Sequence, residues 1–220
     1  MKLFVSSLYQ AVSVDQDIPP FLIGERCNSN GSKKFREKLL QDDFHGCVRI
    51  AKEQESKGAS AVDLSVAYAG RDEVADMTRL TELFAKSVRA PLVIDSTNPL
   101  AIEAALKIYP GRAIINSINL EDGGKTMDRI CVLAKRYGAA VIALTIHEDG
   151  MAMTADEKVK AAWRIHDRAV NEHGLRPSDI LFDPLTFTVG SGDESLRNAA
   201  AETIEAIRRI KEEIPGVYTS

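Results

Sequence analysis

Pro91-Leu92-Val93-Ile94-Asp95-Ser96-Thr97-Asn98-Pro99 carries a strand, a polar strand end and a helix start in one short run. Leu92, Val93 and Ile94 are apolar on consecutive positions, which suits a strand covered on both faces rather than one with a wet face. Asp95 ends the run. Asn98 followed by Pro99 is a cap-then-first-turn pair that opens a helix.

The same pattern recurs along the chain. Short apolar runs lie at Phe21-Leu22-Ile23, Ala61-Val62-Asp63-Leu64, Ala113-Ile114-Ile115-Asn116, Ala139-Ala140-Val141-Ile142-Ala143-Leu144 and Ile180-Leu181-Phe182-Asp183. Amphipathic stretches near 43–58, 72–88, 98–108, 125–137, 154–173 and 193–213 alternate with them and read as helices. Gly58 and Gly138 stop two of these, the second after Lys135-Arg136. Thr154 with Glu157 makes a capping box, and Pro215-Gly216 ends the last helix.

Six strand–helix units and the start of a seventh strand, Val217-Tyr218-Thr219-Ser220, fit either a doubly wound open sheet or a (β/α)8 TIM barrel of about 250 residues. No Gly-x-Gly-x-x-Gly follows the first strand, so a dinucleotide-binding sheet loses support. An α/β barrel is the expected class, truncated after the start of strand 7. Residues 1–19 read as an N-terminal linker or extension, and 20–220 as one barrel domain incomplete at its C-terminus.

Composition narrows the function classes. The 220 residues are 45% apolar and 27% charged, with a formal net charge of −4. That balance argues against a nucleic-acid or membrane-surface partner, either of which calls for a basic face. No apolar run reaches the ~18–20 residues that span a bilayer, and Met1-Lys2-Leu3-Phe4-Val5 is too short for a secretory signal. A cytoplasmic location is the expectation. Cys27, Cys47 and Cys131 are far apart and form no zinc pattern; they read as three reduced thiols, Cys131 within a helix core.

The strongest signal is positional. The first strand runs into Glu25, Arg26 and Asn28, and others finish at Asp63, Asp95, Asn116 and Asp183. In a barrel such ends converge on the face that holds active sites. Each has a purely structural explanation, such as a helix-entry turn at Asp95 or an Asx turn at Asp183-Pro184. Their recurrence on five strands favours a site. Carboxylates accept paired N–H groups and carboxamides read mixed edges. The set therefore suits a neutral heterocycle with several N–H donors, such as a pterin. A phosphate substrate calls instead for a glycine-rich loop or a cationic cluster.

Ile23-Gly24-Glu25-Arg26-Cys27-Asn28-Ser29-Asn30-Gly31-Ser32-Lys33-Lys34-Phe35 resembles the opening of the folate (pterin)-binding domain of cobalamin-dependent methionine synthase. Ile94-Asp95-Ser96-Thr97, Ile115-Asn116-Ser117, Tyr137-Gly138-Ala139-Ala140 and Phe182-Asp183-Pro184-Leu185 are similar to that family in order and spacing. Related methyltetrahydrofolate:corrinoid methyltransferases share most of these motifs, and dihydropteroate synthases share the fold more distantly. The resemblance implies a barrel of the pterin-binding type that binds 5-methyltetrahydrofolate as substrate. It implies a methyltransferase of methionine biosynthesis and one-carbon metabolism, with the N5-methyl group passing to cobalamin or another corrinoid on a separate domain or protein. In a full-length enzyme a homocysteine-binding module would be a further partner. Asp95, Asn116 and Asp183 would hold the ring, Glu25 and Asn28 would line the pocket, and Asp63 would support that network. The family's N5-contacting Asn is expected beyond Ser220, so no catalytic residue and no metal ligand is assigned within the chain. Residues 1–19 look like the linker that precedes the module.

Two alternatives remain open: a folate-binding fragment without catalytic competence, and a methyltransferase serving another corrinoid protein in one-carbon or O-demethylation metabolism. Dihydropteroate synthesis needs a basic diphosphate site late in the barrel, which is not supplied here. No Asp-x-His-x-x-Gly corrinoid motif and no cysteine cluster for homocysteine occurs in the sequence. Lys33, Lys34 and Arg36 read as a solvated helix face. His147 reads as a loop residue without metal partners, His45, His166 and His173 as surface, and Trp163 as outer-helix core. Phe187 and Thr188 either contact a ligand or order their loop.

Overall fold

The structure is a computed structural model that describes residues 2–188 and 192–220. It divides into two compact units. The first comprises Lys2–Asn116 with Arg136–Ala140, and the second Ser117–Lys135 with the described part of Val141–Ser220.

The first unit opens with an antiparallel hairpin, β1 (Phe4–Ser6) and β2 (Ala11–Ser13). There follow β3 (Ile23–Asn28), α1 (Lys33–Leu40), α2 (Phe44–Ser56), β4 (Ala61–Ser65), α3 (Glu73–Ser87), β5 (Leu92–Asp95) and α4 (Pro99–Ile108). β6 (Ile114–Ile118) passes into the second unit after Asn116. β3, β4, β5 and β6 pair in that order, all parallel. Val62, Leu64, Val93, Ile94, Ile114 and Ile115 are completely buried, as continuous apolarity predicts for strands covered on both faces. Asn98 caps α4 by accepting from the Leu100 N–H, with Pro99 in the first turn.

The second unit contains α5 (Lys125–Tyr137, through Lys135), β7 (Ala140–Leu144, from Val141), a small hairpin of β8 (Ile146–His147) and β9 (Gly150–Met151), α6 (Ala155–Asp167), β10 (Ile180–Asp183), α7 (Ala199–Glu213) and β11 (Tyr218–Thr219). β10 pairs in parallel with β7 on one side and β11 on the other. The Thr154–Glu157 capping box forms as expected. The stretch expected as one helix over 154–173 changes to a π-helical turn at Arg168–Glu172. There the Arg168 guanidinium donates to both Asp128 carboxylate oxygens and to the Gly123 carbonyl. The last helix begins at Ala199 rather than near 193, preceded by a 3-10 turn at Glu194–Leu196.

Several details depart from the sequence reading. The first residues form β1 and β2; Leu3 and Val5 are buried, and the Ser6 N–H donates to the Arg112 carbonyl at 3.0 Å. Arg112 N–H answers by donating to the Ser6 hydroxyl at 2.9 Å, and the Tyr109 hydroxyl donates to Ser6 O at 3.1 Å. Residues 33–40 form α1, and Lys33 and Lys34 lie on its solvated face as expected, paired with Glu37 and Glu53. Trp163 is 41% exposed and makes an edge contact with His166, so it is not core. His173 is not a surface residue. Its ring Nε2 lies 2.8 Å from Asp128 Oδ1, and its side chain is only 16% exposed. All three cysteines are free and buried; burial pushes the Cys47 and Cys131 thiols up to about 12 and raises Cys27 further.

Candidate functional site

In the first unit, parallel pairing brings four polar side chains level. Asn28 is the register partner of Ser65, and Asp95 that of Asn116. Asp63 pairs with Val93, so Ser65 and Asp95, each two residues further on, fall level as well, and the Ser65 side chain favours the ionised form of Asp95. Asn28, Ser65, Asp95 and Asn116 thus make one row across β3 to β6. Asp63 shares a face with Ser65 because strand side chains alternate, and it sits one layer deeper. Asp63 and Asn116 are inside their strands rather than at the ends expected from sequence. β4 runs on to Ser65 because Leu64 and Ser65 still pair with β3, and β6 runs on to Ile118.

Asn28 reaches this row through a bulge. Gly24 pairs with Val62 and Cys27 with Leu64. Three steps along β3 therefore match two along β4, which is one extra residue. An uninterrupted strand would turn Asn28 to the opposite face. The buried side chain of Gln54 on α2 holds the bulge: its Oε1 accepts from the Arg26 N–H at 2.7 Å. A Cβ on Gly24 would stand 2.8 Å from that same oxygen and would displace the Gln54 carboxamide from the bulge.

The row is internally hydrogen-bonded. Asn28 Nδ2 donates to Asp95 Oδ2 at 3.3 Å, while its Oδ1 accepts from the N–H groups of Asn30 and Gly31. Asn116 Nδ2 donates to Asp63 Oδ1, also at 3.3 Å. Beyond the row, Glu73 accepts from Ser96 and from Asn98 Nδ2. The helix-entry turn that could have claimed Asp95 is made by Ser96, whose hydroxyl accepts from the Asn98 N–H.

Burial dominates the electrostatics. Asp63 is 1% exposed. Loss of water pushes its pKa to about 8; the negative charges of Asp95 and Glu25 add to this, and the Asn116 bond opposes it. Asp95 is raised by burial too, with the Ser65 side chain lowering it and Glu25 and Glu73 raising it. At neutral pH Asp63 is therefore mostly a neutral carboxyl. It still has an oxygen to accept from Asn116, and it gains an O–H to donate. Glu25 lies on the exposed bulge, close enough for its charge to act on both aspartates. The set accepts N–H bonds readily and favours positive charge beside it. Among the described residues, no group of three or more His, Cys, Asp or Glu side chains is arranged to hold a metal ion.

In the second unit Asp183 ends β10. Its Oδ1 accepts from the Leu185 N–H at 2.8 Å, and its carbonyl accepts from the Thr145 N–H. The Asx turn weighed from sequence is thus present. His147 is in β8, its Nε2 3.1 Å from the Glu157 carbonyl. Sequence reading missed Ser65 and Gln54. Ser65 carried no signal beyond its place two residues after Asp63, and Gln54 reads as an ordinary polar position of an amphipathic helix.

Parallel β/α units with carboxylates and carboxamides gathered toward their strand ends define an α/β protein. Residues 24–219 match the model of the pterin binding enzyme family. The chain belongs to that family. It is 45% identical over 219 residues to methionine synthase of Mycobacterium tuberculosis and 43% identical over 223 residues to that of Mycobacterium leprae, each match covering 98% of this chain. The chain spans 18% of the length of each of these enzymes. The resemblance to the pterin-binding domain of methionine synthase therefore holds. A dihydropteroate synthase of Xanthomonas albilineans superposes with a TM-score of 0.67 at 15% identity, covering all of this chain and 76% of the other. That of Vibrio fischeri gives 0.64 at 13%, covering 97% and 76%. At such identity the likeness shows the fold alone, the α/β barrel type expected from the sequence.

Proposed function

We propose that this chain binds 5-methyltetrahydrofolate and presents its N5-methyl group to a corrinoid carried on another domain or protein, as the folate module of a methionine synthase. The observation that supports it is the half-buried row Asn28–Ser65–Asp95–Asn116 with fully buried Asp63 beneath it. Asp95 and Asn116 offer an acceptor pair and a carboxamide to the pyrimidine edge of the pterin. Asn28 keeps Asp95 oriented, and Glu25 closes the rim. Asp183 is proposed as a further ring contact on the family resemblance.

Neutral N5 is a poor leaving group, so the methyl group departs more easily when N5 is protonated. The chain's part in that step is electrostatic. The charges of Asp95 and Glu25 stabilise a cationic ring more than a neutral one, and neutral Asp63 keeps the network bonded without a second deep negative charge. The corrinoid, when bound by its own module, supplies the nucleophile. A homocysteine-binding module completes the reaction in the full-length enzyme, and the cytoplasm is the proposed location; no helix of the described residues is long and apolar enough to cross a membrane.

Titration of the protein with 5-methyltetrahydrofolate tests the reading. Saturable binding is expected, and its absence in folded protein would overturn it. Adding cob(I)alamin and following methylcobalt formation by absorbance then separates transfer from binding alone.

A further inference from the structure

Lys158 is completely buried on α6, an expensive position for an ammonium group. It is paired with backbone rather than with a carboxylate. Its Nζ donates to the Pro184 carbonyl and, at 3.1 Å, to the Leu185 carbonyl. It also lies 5.2 Å from the centre of the Phe187 ring, a cation–π distance. The Thr203 hydroxyl of α7 donates to the same Leu185 carbonyl at 2.9 Å. Leu185 has a φ of +55°, a left-handed conformation that a non-glycine residue keeps only when its surroundings enforce it. In that conformation its N–H meets Asp183 Oδ1 at 2.8 Å.

We propose that Lys158 and Thr203 form a clamp that holds Leu185 left-handed and so fixes the orientation of the Asp183 carboxylate for the pterin. Lys158 is a positioning residue: it reaches Asp183 only through the Leu185 backbone and through charge. A leucine or methionine would fill the same space without ordering the turn. The two carbonyls and the Phe187 face account for what the buried ammonium does locally, and Asp183 is the functional group at the far end of the turn. This inference rests on the reading of Asp183 as a pterin contact.

Two measurements test it on Lys158→Met and Thr203→Val. The first is hydrogen exchange of the Leu185 amide, which needs no ligand. Its protection is expected to fall at least tenfold in Lys158→Met and less in Thr203→Val; unchanged protection in either overturns the clamp. The second is affinity for 5-methyltetrahydrofolate. About tenfold weaker binding is expected in Lys158→Met, with no further loss when it is combined with Asp183→Ala. General destabilisation would instead weaken binding equally in both backgrounds and would overturn the positioning role, as would wild-type affinity. If Lys158→Met does not fold, Thr203→Val decides both points. If Asp183→Ala binds like wild type while Asp95→Ala does not, the pterin reading of Asp183 fails, while the exchange data still judge the clamp.

Discussion

Asp63 couples the candidate site to pH. Its folded pKa of about 8 lies far above the ordinary carboxylate value of 3.8, so the folded protein holds this proton more tightly than the unfolded chain does. The sign follows from linkage: stability is complete below about pH 4 and is lost as pH rises towards 8. The slope from this group is at most about 1.4 kcal/mol per pH unit. Asp63→Asn keeps an acceptor for Asn116 and removes the titration. It should flatten the urea-denaturation stability measured between pH 5 and 8 and raise it at the alkaline end; an unchanged slope would show that another group sets it. Asp95 carries a different prediction. Asp95→Ala should weaken 5-methyltetrahydrofolate binding by about 1–3 kcal/mol through lost charged hydrogen bonds, read by calorimetric titration. The two aspartates are neighbours in one network, so their effects will not add.

At the scale of an element, the β3 bulge decides what the first strand presents. Gln54→Leu keeps the volume but leaves the Arg26 N–H without its acceptor, and should cost about 1–3 kcal/mol of stability by urea denaturation. The same change should weaken folate binding, because Asn28 is delivered to the row by that bulge. Much of the rest was legible in sequence. Continuous apolar runs announced Leu92–Asp95 and Ile180–Asp183 because parallel strands bury both faces. Thr154, Glu157, Asn98 and Pro99 announced their helix starts through local hydrogen bonding. What escaped depends on distant partners. A bulge is a mismatch between two strands, so neither strand alone records it. Lys158 on a helix reads as solvated until the loop that covers it is known. His173 pairs with Asp128, and the Arg112 guanidinium donates to the Phe4 carbonyl of β1, across separations of 45 and 108 residues.

At the scale of the whole molecule, non-local contacts of this kind dominate the first unit's ends. Residues 2–13 contribute buried Leu3 and Val5 and a set of bonds to Tyr109 and Arg112. A Cβ on Gly111 would stand 2.0 Å from Ser6 O. Gly111→Ala should therefore lower the thermal midpoint, at a cost of about 1–3 kcal/mol for the forced shift; an unchanged midpoint would mean the hairpin is not tightly seated. The three cysteines add a practical consequence. With every native thiol buried and its thiolate disfavoured, maleimide reagents at neutral pH should leave the folded protein unmodified until it is denatured. A single cysteine introduced at an exposed position such as Lys33 would then carry a fluorophore alone, so site-specific labelling needs no prior removal of the natural cysteines.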